Sequence, residues 1–517
     1  MTFEAVEAKT SHGRVRGVRI DGVAVFRGVP YAAPPVGELR FRPPQPLQPW
    51  QEVRDAVDQP NACPQPALPR LFDKLDPTDA EEKFVERYDE DCLTVNVFTP
   101  GLDSSARPVM VWLHGGWFSV GSGNEPCYDG GNLCRRGDVV VVTVNHRLGA
   151  LGFLSLAEFG ADLESSANHG LLDIVAALTW VRENIAEFGG DPDSVTLFGE
   201  SGGASKISML LGVEQARGLF HRAILQSGPM LRAVEPELAR ATTAAYLDRL
   251  GVDSLEGLRA LPVKALVKAQ NSLLGGPLGG LYGGGYRMAP TIDGHVLNRH
   301  PFAPDAAGPS HGVPLLIGSC RDEATMLVGT VPGIDSMEPE QQVKALADGV
   351  FGHALDDLLD RYAATRPDTT VLEWFLTAAS DQIRVGGIQL AERAIAAGAP
   401  VHMYRVDHVP SVYGGRLGAV HTVDVGFAFA NTDSGAGVTS PNRGLYRDAD
   451  VPRLTEEISG AWTAFAHNGI PSHSALPDWP RYDLDRRPTM IFGPESGVVD
   501  DPDGAERAIW SDRDAGM

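Results

Sequence analysis

Ser201 stands between glycines two residues away on either side, in Gly199-Glu200-Ser201-Gly202-Gly203, directly after the apolar run Val195-Thr196-Leu197-Phe198. This spacing suits a serine on a tight strand-to-helix turn, where a β-carbon at the flanking positions would strike the neighbouring strand or helix. The turn strains the serine backbone and pushes its hydroxyl clear of the sheet. With 58 glycines in 517 residues, the pattern also recurs by chance, at Gly308-Pro309-Ser310-His311-Gly312. There the serine precedes a strand-like run, Pro314-Leu315-Leu316-Ile317, rather than following one, and Pro309 stiffens the turn. Ser310 is read as a loop serine, and Ser201 as the candidate nucleophile of a hydrolase.

A serine hydroxyl needs a base to take its proton, usually a histidine held by a carboxylate. Where the serine sits on such a turn, the acid and then the histidine follow it in the chain, in loops at the carboxyl edge of the sheet. Asp322 and Glu323 both follow the Pro314–Gly318 strand. His408 and His421 both follow the strand Val401–Val406. Spacing alone does not choose within either pair. Donors for an oxyanion are offered by His114-Gly115-Gly116-Trp117-Phe118, directly after the apolar run Val109–Leu113. Adjacent glycines let backbone N–H groups converge on one point, and the N–H of Gly202 supplies another.

The elements that must hold these residues alternate. Val109–Leu113 and Val139–Val144 are continuous apolar runs of the kind buried on both faces of a sheet. Between the second run and the Val195 strand, Leu171, Ile174, Val175, Leu178, Val181 and Ile185 recur at helical spacing until Gly189-Gly190-Asp191-Pro192. A helix through Met209-Leu210-Leu211, strands at Ala223–Gln226, Pro314–Gly318 and Val401–Val406, and an amphipathic helix from Leu454 to His467 follow. Alternating strands and helices imply an α/β fold with a largely parallel, doubly wound sheet. Gly275 to Gly285 reads as a surface or pocket-rim loop. No repeat or linker divides the chain, so residues 1–517 are read as one domain.

The net charge of −23 argues against nucleic acid or an anionic membrane as partner. No run approaches the ~18 apolar residues of a membrane span. The first residues carry no signal-peptide pattern, so a cytoplasmic location is expected. Cys63, Cys92, Cys127, Cys134 and Cys320 show no zinc-type spacing, and neither a metal nor a cofactor is expected.

The chain resembles the type-B carboxylesterases, the group of the cholinesterases and bacterial para-nitrobenzyl esterases. The resemblance rests on Phe26-Arg27-Gly28-Val29-Pro30-Tyr31-Ala32, Glu90-Asp91-Cys92-Leu93-Thr94-Val95-Asn96-Val97 and Phe198-Gly199-Glu200-Ser201-Gly202-Gly203, together with Asn145–Gly149 and Phe188–Pro192. It implies an α/β-hydrolase fold, with helices on both faces of a large central sheet and insertions forming a substrate gorge. It also implies a triad of Ser201, Glu323 and His421, and an oxyanion hole of Gly116, Trp117 and Gly202. Gly115, Glu200, Ser227 and Asp424 match supporting positions that steady the histidine and the serine. Cys63 and Cys92 match the family's first disulfide pair. Two departures stand out: Trp117 where the family has Gly or Ala, and Gly202 where Ala is common. The Trp117 indole is expected to narrow the alcohol side of the site.

The activity so implied is hydrolysis of small-molecule carboxylic esters through an acyl-enzyme, its rate falling in acid near the ordinary histidine pKa of about 6.5. The alternatives are the same machinery working on carbamates or amides, or a non-catalytic binding protein of the same family. The surviving triad weighs against the last.

Overall fold

Alternate residues of the central strands enter two different cores, which is why those strands read as unbroken apolar runs. In the computed structural model, Val109, Val111 and Leu113 pack into one cluster, with Leu197, Leu225, Ile317 and Met403. Met110 and Trp112 pack into the other, with Phe198, Ile224, Leu316 and Tyr404. Period-two alternation with both faces covered leaves no solvent face that would call for polar residues. The structure describes residues 4–67, 86–276, 285–331, 333–347, 351, 354–432 and 443–515.

The strands are β1 (Glu4–Lys9), β2 (Arg14–Ile20), β3 (Val23–Pro30), β4 (Arg54–Asp55), β5 (Thr94–Thr99), β6 (Arg107–Leu113), β7 (Val140–Val144), β8 (Gly190–Glu200), β9 (Arg222–Gln226), β10 (Leu315–Cys320), β11 (Val401–Val406), β12 (Pro488–Phe492) and β13 (Gly497–Asp500). They form one sheet in the order β1-β2-β3-β5-β7-β6-β8-β9-β10-β11-β12-β13, with β4 beside β2. From β7 to β12 the neighbours run parallel; the strands flanking that block pair antiparallel, except β4, which runs parallel to β2. The parallel block aligns the carboxyl ends of β6, β8, β10 and β11, so the loops after these four strands share one edge.

One face of the sheet is covered by the helices His169–Asn184, Gly202–Leu210 and Val371–Ala396, through Leu171, Ile174, Leu178, Ile207, Leu390 and Ala394. The other is covered by Val423–Phe429 and Val451–Asn468, through Val423, Phe427, Leu454, Ile458, Trp462 and Phe465. Among the described residues no helix is long and apolar enough to cross a membrane.

Several boundaries differ from the sequence reading. β8 begins at Gly190 rather than Val195, because Gly190 pairs with Arg107 before a register shift carries the ladder on to Val195. Ile185 falls in a 3-10 turn that ends the helix beginning at His169. The 26-residue helix Val371–Ala396 has no counterpart in the sequence reading, although its capping box of Thr370 and Glu373 is a sequence signal. Gly275 closes the helix Val263–Leu274 in a left-handed conformation, and residues 277–284 of the glycine-rich stretch lie outside the described residues. Cys63 and Cys92 do come together, and both are thiols. A hydrogen bond to Cys63, which favours the neutral thiol, and burial hold the Cys92 thiol well above its ordinary pKa.

The loop after β7 is pinned by a buried ion pair. Arg147 donates from Nε to Asp173 Oδ2 at 2.8 Å and from Nη2 to Oδ1 at 2.6 Å, while its backbone N–H reaches Oδ2 at 3.0 Å. Nη1 donates to the Arg42 carbonyl at 2.6 Å. Asp173 is fully buried and Arg147 nearly so. Removing one partner leaves the other charge buried and uncompensated. Asp173→Ala is therefore expected to lower unfolding stability by about 3–5 kcal/mol, read as a fall in urea midpoint at unchanged slope.

Candidate active site

Ser201 caps the junction between β8 and the helix Gly202–Leu210 with φ 54° and ψ −120°, a backbone region that a residue with a β-carbon rarely adopts. Its N–H donates to the Gln226 carbonyl at the end of β9, 2.8 Å away. The sharpness of the turn depends on Gly203, where an added β-carbon would lie 1.9 Å from the Leu113 carbonyl oxygen. The helix thus begins in contact with the end of β6. Ser310, the chance match, falls in the short 3-10 turn Gly308–Ser310 ahead of β10, as expected of a loop serine.

The open choices between carboxylates and between histidines resolve in space. Glu323, just past β10, accepts the Cys320 N–H on Oε1 at 2.7 Å and meets His421 Nδ1 with Oε2. Asp322 turns elsewhere: its Oδ2 accepts the Ala419 N–H at 2.8 Å and Arg321 Nη2 at 2.9 Å. The Asp322 N–H in turn reaches the Ala419 carbonyl at 3.0 Å. Asp322 therefore anchors the strand-like segment that delivers His421. His408 pairs with Asp450 at 3.2 Å and lies edge-on to Phe427.

The other ring nitrogen of His421, Nε2, is 3.0 Å from Glu200 Oε1. Glu200 precedes Ser201, so the imidazole spans from Glu323 to the serine's side of the site. Asp424 opens the helix that follows His421 and accepts Gln226 Nε2 at 3.0 Å and the Tyr404 hydroxyl at 2.9 Å. Gln226, absent from the sequence candidates, thereby holds the Ser201 N–H with its carbonyl and Asp424 with its side chain. Its signal is a polar residue that ends β9 directly after the apolar run Ala223–Leu225. Ser227 does not join this group as expected. Its hydroxyl donates to Cys320 Sγ at 3.9 Å, because a left-handed φ of 53° turns it toward the end of β10.

Three carboxyls and one imidazole share a buried space. Burial pushes Glu200 up to about 8, with Asp424 and Glu323 adding and His421 opposing. Burial likewise lifts Asp424 to about 6, opposed by the hydrogen bond from Gln226. For His421, burial disfavours the imidazolium, but Glu200 and Glu323 outweigh it and hold the ring above its ordinary range. The expectation of an ordinary histidine pKa is corrected accordingly.

After β6, Gly116 and Trp117 take left-handed φ values of 83° and 57°. Gly115 lies against the serine: a β-carbon there would be 3.1 Å from Glu200 Oε2 and 3.6 Å from Ser201 Cβ. At Gly202 a β-carbon would lie 2.3 Å from the Trp117 backbone nitrogen, so the two glycine-rich segments touch. The Trp117 indole is 3 % exposed and edge-on to Phe118 at 4.9 Å. It packs in the same core cluster as Phe118. Lys206, also outside the sequence candidates, is fully buried and donates from Nζ to the carbonyls of His114 and Trp117 at 2.9 and 2.8 Å. Its signal is the one charged residue in the small and apolar helix Gly202–Leu210. Among the described residues, no cluster of His, Cys, Asp and Glu could hold a metal ion.

Residues 4–510 match the model of the carboxylesterase family. The chain is 38 % identical to the para-nitrobenzyl esterase of Bacillus subtilis (strain 168) over 98 % of each chain. It is also 38 % identical to phenmedipham hydrolase of Pseudarthrobacter oxydans, over 95 % of this chain and 96 % of that one. The crystal structure of a Geobacillus stearothermophilus carboxylesterase superposes with a TM-score of 0.83 at 36 % identity, covering 98 % of this chain and all of that one. This chain belongs to the carboxylesterase family and is an α/β-hydrolase-fold carboxylic ester hydrolase.

Proposed function

We propose that the chain, working as one catalytic domain, cleaves small-molecule carboxylic esters through an acyl-enzyme on Ser201. His421 Nε2 takes the hydroxyl proton as Ser201 Oγ attacks the ester carbonyl. The backbone N–H groups of Gly116, Trp117 and Gly202 receive the oxyanion. His421 then protonates the leaving alcohol, and afterwards deprotonates the water that releases the acid. Glu323 holds the ring through Nδ1 and offsets the charge it gains. The observation that carries this reading is the imidazole bridging Glu323 and the residue next to a serine held at φ 54°, ψ −120°. Gly115, Glu200, Gln226 and Asp424 support these groups from behind. The buried thiols are in keeping with a cytoplasmic location.

Replacing Ser201 by alanine is expected to lower p-nitrophenyl ester turnover about 10⁴-fold or more. Activity within tenfold of the unaltered chain would defeat the assignment. An organophosphate should label the unaltered chain stoichiometrically and leave Ser201→Ala unlabelled.

The raised His421 sets a second expectation. The base form exists only above the imidazole's pKa, so the acid limb of kcat/KM should lie above about 6.5 rather than at it. Glu200→Gln removes a carboxylate that supports the imidazolium and should move that limb to lower pH. A pH profile of kcat/KM from about 4 to 9 on both proteins checks the sign; a limb unmoved by Glu200→Gln would count against the coupling.

A further inference from the structure

Lys206 is the charged side chain in this protein whose position is hardest to explain by packing alone. It lies in the helix that begins at the candidate nucleophile, every residue of which is buried, and none of its own surface reaches solvent. Lysine is rarely buried so fully without a carboxylate partner. Here Nζ donates instead to two backbone carbonyls, His114 at 2.9 Å and Trp117 at 2.8 Å, with the Phe118 ring centroid 5.7 Å away.

Those two carbonyls bracket one short segment. Between them lie the N–H groups of Gly116 and Trp117, the donors assigned above to the oxyanion. Both residues are left-handed, and for Trp117, which has a β-carbon, that conformation must be held by its surroundings. Fixing the carbonyls at both ends fixes the peptide planes between them. Positions 202 and 206 are four apart and share one face of the helix. Gly202 lets the Trp117 backbone close on the helix, and one turn later Lys206 bonds the same residue's carbonyl.

We propose that Lys206 is a positioning residue for the oxyanion hole, clamping the segment His114–Trp117 to the nucleophile helix so that the Gly116 and Trp117 N–H groups converge with that of Gly202. This rests on the ester-hydrolase reading. Burial lowers the lysine pKa to about 7, with Glu200 opposing. His114 and His146, stacked on each other at 4.9 Å, are pushed below their ordinary values by burial, with Lys206 adding. A neutral amine keeps two N–H donors, as many as there are carbonyls to bind, so the clamp holds in either protonation state.

The test compares the unaltered chain with Lys206→Met, which keeps length and helix propensity without donors, and with Lys206→Gln, which keeps an amide donor. Steady-state kinetics on a p-nitrophenyl ester are paired with inhibition by an alkyl trifluoromethyl ketone and by the corresponding trifluoromethyl alcohol. Ser201 Oγ adds to the ketone carbon, its proton passes to His421, and the carbonyl π pair becomes an oxyanion; the alcohol forms none.

The expected result for Lys206→Met is a kcat lower by roughly 10–100-fold with KM within about threefold, and ketone inhibition weakened in step while alcohol inhibition is unchanged. Lys206→Gln should fall between. A folded Lys206→Met with kcat within threefold overturns the proposal. So does equal weakening by ketone and alcohol, which would mean a general collapse of the pocket. Failure of both variants to fold overturns it too, by making Lys206 a folding requirement. An unaltered chain that turns over no ester overturns the hydrolase reading itself. A chain that does so beside an unimpaired Lys206→Met overturns only the role of the lysine.

Discussion

There is no room for a β-carbon at Gly203, because the Leu113 carbonyl would stand 1.9 Å from it. That contact brings the start of the helix Gly202–Leu210 against the end of β6. It leaves Ser201 a left-handed φ as its way of joining β8 to the helix. The same approach brings the Gly115–Trp117 segment, which follows Leu113, alongside the serine. A single backbone contact thus places the proposed nucleophile and the proposed oxyanion donors together, and neither element could shift without the other. The strain at Ser201 is borne by parallel strands buried on both faces.

The other half of the site is held by charge rather than by closeness of backbone. Glu200, Glu323 and Asp424 crowd around His421, and three buried carboxylates cannot all ionise cheaply. Glu323 keeps the Cys320 N–H and the imidazole, whereas burial leaves Glu200 up at about 8. The imidazole thus stands between two carboxyl groups, Glu323 at Nδ1 and Glu200 at Nε2. Gln226 ties the halves together through the Ser201 N–H and Asp424. Reorienting the side-chain amide would release Asp424 while the backbone carbonyl kept the Ser201 N–H.

Much of this is legible in the sequence, and the reasons are local. A glycine pattern after an apolar run reports a turn that only glycine permits, and strand context separates Ser201 from Ser310. The doubly buried strands announce themselves as unbroken apolar runs. What was illegible is non-local. Asp322 and Glu323 are adjacent and chemically alike. Which one faces His421 is decided by the pairing of residue 322 with the segment at 419–420, nearly a hundred residues away. The helix Val371–Ala396 is buried along much of its length, so its polar and apolar positions do not separate into faces. Ser227 was expected at the histidine, yet a positive φ aims it at Cys320. Lys206 was passed over because a lysine in a helix is ordinarily a solvated one.

Trp117 and Gly202 make physical sense as one unit with that lysine. A tryptophan in a left-handed conformation is a poor platform for two hydrogen-bond donors unless something holds its peptide planes. A β-carbon at Gly202 would lie 2.3 Å from the Trp117 backbone nitrogen; without it the segment settles onto the helix. The indole turns into the core against Phe118 and anchors the loop by burial. Lys206 then grips the carbonyls on either side. Together they give the segment a fixed geometry, and electrostatic stabilisation of an oxyanion works best where the donors need not reorganise when charge develops.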